Sequence, residues 1–155
     1  MKTIVVISML ALLASCNSES GAKVKSSEEK LVDSLEMDVN KGHNTGMAKM
    51  GKLTRYQQAA SQLRDSIGTL PAAAQLKMMA YGKQLDTLKH QLDSAEMVMN
   101  KWMDEYRFDS LKDNPELRAA YLNTEKIKVE GMVGLILDAI HKGDSLLKIV
   151  RPGIN

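Results

Sequence analysis

Thiol chemistry is nearly absent from this chain, because Cys16 is its only cysteine. A lone cysteine closes no internal disulfide and builds no thiolate-rich zinc site. Aromatic residues make up only 4% of the 155 residues, so a core must be assembled from Leu, Ile, Val, Ala and an unusual supply of 11 methionines. That points to thin packing between helices instead of a thick globular interior. The three histidines, His43, His90 and His141, lie far apart, and no His-Glu-x-x-His is present. A Gly-Lys-Ser/Thr phosphate loop and a Gly-x-Ser-x-Gly elbow are also missing. A di-iron bundle needs two Glu-x-x-His pairs, and the nearest approach here is the isolated Asp138-Ala139-Ile140-His141. No alternating β pattern of useful length occurs, and no solenoid-length repeat. The expectation is a protein that is not an enzyme and has no resident cofactor.

What is there begins with the leader. Met1-Lys2-Thr3 supplies a short basic start, Ile4 to Leu13 an apolar run, and Leu13-Ala14-Ser15-Cys16 the small residues of a cleavage point. The run falls short of the roughly 20 apolar residues that span a bilayer and is followed at once by polar Asn17-Ser18-Glu19-Ser20. The quartet ending at Cys16 resembles the lipobox of bacterial lipoproteins. That resemblance implies a cut before Cys16 and lipidation of its thiol, which would leave the mature chain without a free cysteine. Two or three acyl chains hold a protein stably where one does not. The bilayer is therefore the first expected partner, and the expected location is the bacterial cell envelope, with the outer membrane favoured, on its periplasmic or surface face.

Residues 1–15 thus read as signal peptide, 16–25 as lipidated cysteine and flexible tether, 26–151 as the helical domain and 152–155 as a tail. After cleavage 20 basic residues face 19 acidic ones, which argues against nucleic-acid binding as the surface's main role.

Three helices are expected, over about 27–67, 71–107 and 114–150. Ser26-Ser27-Glu28-Glu29 offers a capping box, and Leu31, Leu35 and Val39 follow at helical spacing. Asn40, Gly42, Asn44, Gly46 and Gly51 then oppose helix, each glycine by about 1 kcal/mol. Either the helix breaks near 40–46 or packing offsets the loss. Gly68 fits a left-handed C′ position and Pro71 the first turn of the next helix. The second helix carries Met78, Tyr81, Leu85, Leu88, Leu92, Ala95, Met99, Trp102 and Tyr106 in steps of three and four, a coiled-coil seam. Asn114 should cap the third helix with Pro115 in its first position. Leu122, Val129, Val133, Ile136, Ile140, Leu147 and Val150 line one face there. Leu135, Leu137 and Leu146 widen the stripe, so this helix should be the most buried. Short connections favour antiparallel neighbours, and the fold class is all-α: an antiparallel three-helix bundle, or a long helical hairpin plus a third helix.

One cluster carries a sharper expectation. His43, Met47 and Met50 place an imidazole and two thioethers on one helical face. Met97, Met99 and Met103 surround Trp102 on the next helix. Folding the two helices back at Gly68 to Leu70 sets His43 level with Ala95 to Met99, with Met97 turned to solvent. Imidazole and thioether suit Cu(I), with His43, Met47, Met50, Met99 and Met103 as ligands. The same residues serve equally as core, since Met is a flexible gap-filler.

His43-Asn44-Thr45-Gly46-Met47-Ala48-Lys49-Met50-Gly51-Lys52-Leu53, Ala95 to Met103 and Tyr121 to Lys126 resemble segments, in this order, of small Bacteroidota lipoproteins labelled "viral A-type inclusion protein". The likeness runs from about Leu31 to Leu147. Members of that family carry acidic and β-branched residues after the histidine, where this chain has Asn44, Thr45 and Gly46. The resemblance implies a helical envelope lipoprotein and names no substrate. The functional expectation is a membrane-anchored helical structural or interaction module, docking an envelope protein or a second copy; the alternative is a Cu(I)-binding protein.

Overall fold

The computed structural model describes residues 25–148; the leader, Cys16 and residues 149–155 lie outside it. The chain folds as three helices, α1 (Ser27–Gly68), α2 (Ala72–Glu105) and α3 (Pro115–Lys148), packed against one another with no strand among the described residues. Side-chain pairs give the directions. Glu36–Arg118, Asp38–Lys126 and Lys52–Asp144 advance together, so α1 and α3 are parallel. Gln57–Asp93 and Arg64–Asp86 advance in opposition, so α2 is antiparallel to α1. The all-α, up-down-up bundle follows.

Local chemistry sets the helix starts. Ser26 Oγ accepts from the Glu29 N–H at 3.1 Å while the Glu29 carboxylate accepts from the Ser26 N–H at 2.7 Å, a complete capping box. Asn114 Oδ1 accepts from the Leu117 N–H at 3.0 Å, with Pro115 opening α3. Pro71 is the residue before α2 instead of its first turn. Gln75 closes that connection by donating to the carbonyls of Gly68 and Leu70.

The glycine-rich stretch does not break α1, which runs unbroken for 42 residues, roughly 60 Å. The reason lies across the interface. A Cβ on Gly42 would overlap the Val129 side chain, and one on Gly46 would overlap the Met99 methyl. Missing side chains let α1 approach its neighbours, and that packing offsets the poor helix propensity. Gly68 is no left-handed cap either; it is the last residue of α1, and Thr69 follows in right-handed geometry. At its far end α2 stops at Glu105, with Tyr106 already extended.

Leu53, Leu85, Leu92, Met99, Leu122, Met132 and Ile136 form the fully buried centre. The largest set of buried residues belongs to α3, yet Leu135 and Leu137 do not widen its stripe: they are 52% and 43% exposed. Their positions in the 3.6-residue period fall on the outer side, and only Leu146 turns toward the core. No helix among the described residues is long and apolar enough to cross a membrane.

Candidate functional site

Two charged side chains interrupt the core stripe of α3. Arg118 and Glu125 stand one heptad apart, in line with Leu122, Val129 and Ile136, and are only 3% and 4% exposed. A buried charge is costly unless paired and hydrogen-bonded, and both are. The Arg118 guanidinium donates from Nε and Nη2 to Glu36 Oε1 at 3.2 and 2.8 Å. It also donates to the backbone carbonyls of Arg107, Phe108 and Ser110 at 3.4, 2.7 and 2.7 Å. One side chain thereby ties α1 and the α2–α3 connection to α3. Leu111, within that connection, takes a left-handed φ of 60°.

Glu125 accepts from the Trp102 indole N–H at 2.8 Å through Oε2 and from Lys128 at 2.8 Å through Oε1. The indole is therefore fixed in rotation, and a row of rings builds from it. His43 lies 5.3 Å from Trp102 between ring centroids, Tyr106 stacks on Trp102 at 4.7 Å, and Tyr121 follows Tyr106 at 6.2 Å. Arg118 caps the row, 5.7 Å from the Tyr121 ring. Burial pushes the Tyr106 phenol above its ordinary pKa, so it stays neutral. The Tyr121 hydroxyl accepts from the Arg107 N–H at 2.8 Å. All three helices contribute to this assembly, which concentrates the protein's scarce aromatics at one end of the bundle.

A second polar group lies further along. Lys52 meets Asp144 at 2.8 Å, and the Tyr56 hydroxyl donates to the same carboxylate. The Lys52 hydrogen bond, then the Tyr56 one, hold the Asp144 carboxyl below its usual range. Burial first, and the Asp144 hydrogen bond second, push the Tyr56 phenol up. Each shift favours the form already present at neutral pH, a carboxylate and an intact phenol. Such a pair clamps helices together and is not tuned to exchange protons.

The residues expected from the sequence fall as follows. Cys16 lies outside the described residues. His43 is half-buried beside Trp102, one turn further along α2 than a tight hairpin register predicts. Met99 is fully buried and packs its methyl over Gly46. Met50 is half-buried against the core, whereas Met47 and Met103 are 41% and 39% exposed. Met97 faces solvent at 68% exposure, as expected. Asp138 pairs with Lys142 at 2.6 Å, and His141 beside it is exposed. His43 Nε2 is buried with no hydrogen-bond partner among the described residues.

Arg118 and Glu125 are the site residues that sequence reasoning missed. The signal was available: steps of four and three from Leu122 and Val129 put both on the core stripe, where a charge has to have a reason. Nothing in the sequence pairs Lys52 and Tyr56 with Asp144. No family model, curated protein or solved structure matches the chain.

Proposed function

We propose that this protein is a non-enzymatic lipoprotein of the bacterial envelope, a three-helix rod tethered through acylated Cys16 and serving as an interaction module. The likeness to small Bacteroidota lipoproteins supports the setting, and Cys16 stands ten residues before the helix cap Ser26, a short leash. The observation that carries the interaction reading is the outer face of α3. Gly131 and Gly134 sit in mid-helix with nothing near a Cβ position, flanked by Ile127 and Leu135 at 62% and 52% exposure. Each glycine costs the helix about 1 kcal/mol and returns no packing against the described residues. A groove of glycines between exposed branched apolar side chains lets another helix approach closely. Four ion pairs, Arg118–Glu36, Lys126–Asp38, Arg64–Asp86 and Lys52–Asp144, are taken up in joining one helix to another.

A photo-crosslinking residue placed at Ile127 in the full chain tests the reading in cells. A discrete adduct that is absent when the same group replaces exposed His90 is the expected result. The module reading fails if Ile127 gives no adduct and the purified protein is monomeric. Incorporation of an alkyne fatty acid, lost in Cys16→Ser, checks the anchor separately.

A further inference from the structure

The seam between α1 and α2 changes chemistry along its length. On α1 its positions recur at His43, Met50, Gln57 and Arg64, a strict seven-residue spacing, with Met47 one turn after His43. Arg64 bonds Asp86 of α2 at 3.1 Å, and Gln57 donates to Asp93 and Glu96 at 3.1 and 2.7 Å. That half of the seam is closed by charge and amide. One heptad beyond Glu96 on α2 is Met103, and one heptad before Gln57 on α1 is Met50. The register that joins Gln57 to Glu96 therefore carries Met103 opposite Met47 and Met50, and on the same stretch of the seam the His43 and Trp102 rings lie 5.3 Å apart. Where the pattern would continue with acid and base, it presents thioethers and an imidazole.

Packing accounts for some of these residues and not for others. Met99 fills the space over Gly46 and is wholly buried, so it belongs to the core. Met47 and Met103 keep about two fifths of their surface in solvent, which poor core residues do and exchangeable ligands must. His43 is the decisive group. Its Nε2 is buried with no hydrogen-bond partner among the described residues, an arrangement that leaves a polar atom uncompensated there. Trp102 beside it is held at a fixed rotation by Glu125, with its ring presented to His43.

We propose that His43, with Met47, Met50 and Met103, forms a binding site for a soft monovalent cation, Cu(I) or Ag(I), walled by the Trp102 ring. Thioethers and neutral imidazole bind such ions in preference to hard divalent cations. The Trp102 ring beside His43 excludes water from one side. The orphaned Nε2 gains the partner it lacks. Partial exposure of Met47 and Met103 gives the ion a way in and out, suiting a carrier or buffer. The site is independent of any protein partner on α3.

Trp102 is the only tryptophan, so its fluorescence reads the site without labels. The full chain in detergent is titrated with Ag(I), and with Cu(I) held by a chromogenic chelator under reducing, anaerobic conditions. Saturable quenching of Trp102 at one ion per chain, together with withdrawal of Cu(I) from the chelator, is expected. His43→Leu should abolish both, and so should Met47→Leu combined with Met103→Leu. Met97→Leu, on the opposite side of α2, should leave them intact. Far-UV circular dichroism confirms that each variant is folded, and Leu at these positions suits a helix. A flat titration of the folded parent overturns the proposal. So does binding that survives unchanged in His43→Leu or in the double methionine variant.

Discussion

The two faces of α3 use the same residue to opposite ends. On the inner face Gly143 lies directly under the Tyr56 ring, which a Cβ would overlap, and Gly42 of α1 receives Val129 in the same manner. On the outer face Gly131 and Gly134 meet nothing among the described residues. All four weaken their helices by a similar amount, but only the inner pair is repaid by contact inside the molecule. A mid-helix glycine is therefore explained inside the molecule only where something lies across from it.

The largest expected effect comes from the charged end of the inner face. Arg118→Met leaves Glu36 without its partner and takes the donor from the Phe108 and Ser110 carbonyls, while the Arg107 carbonyl keeps the Ser110 N–H. A loss of about 3 kcal/mol is expected, read as a drop in the urea midpoint. Next comes Gly143→Ala, where overpacking against a rigid ring costs about 1–3 kcal/mol and outweighs the gain in helix propensity. A variant as stable as the parent would show that the close approach of α1 and α3 is not tight.

The outer face should answer with the opposite sign. Gly131→Ala with Gly134→Ala raises stability by up to about 1 kcal/mol per site in thermal unfolding, and the same pair weakens the Ile127 crosslink. If both faces lose stability, the distinction between them collapses. The smallest effect concerns pH. Asp144 has its pKa depressed in the folded state, chiefly by Lys52 and then by Tyr56, so its contribution is present above its unfolded pKa, about 4. That contribution is lost as pH falls through the lower folded value, and Asp144→Asn should flatten this part of an acid-unfolding curve.

Helix ends and helix type were legible where a side chain acts on its own backbone. Ser26 with Glu29, and Asn114 with Pro115, carry their caps in their immediate neighbours. The seam from Leu85 to Trp102 was legible because the 3.5-residue spacing is a property of one helix. Gly42 and Gly46 were not, since whether a glycine breaks or admits depends on Val129 and Met99, far away in sequence. Leu135 and Leu137 misled for a related reason: hydrophobicity gives no direction without the phase of the helix. Of the His43 cluster, the shared face on α1 could be read. The level of Trp102 could not, because a hairpin's register depends on how its connection is built, here by Gln75 holding Gly68 and Leu70.

The grip of Arg118 on the α2–α3 connection has a consequence for how this chain can vary. Its three contacts there are to backbone carbonyls, and every residue type supplies one. The connection is thus recognised by the course of its main chain and not by its spelling. Phe108, Asp109 and Lys112 are exposed and contribute no side chain to the grip. Those three positions are free to change, so long as the length and path of the connection are kept, the left-handed turn at Leu111 included, while the single arginine that reads it has no substitute. The protein concentrates its intolerance in one side chain and thereby frees these positions at the ring-bearing end of the rod for change.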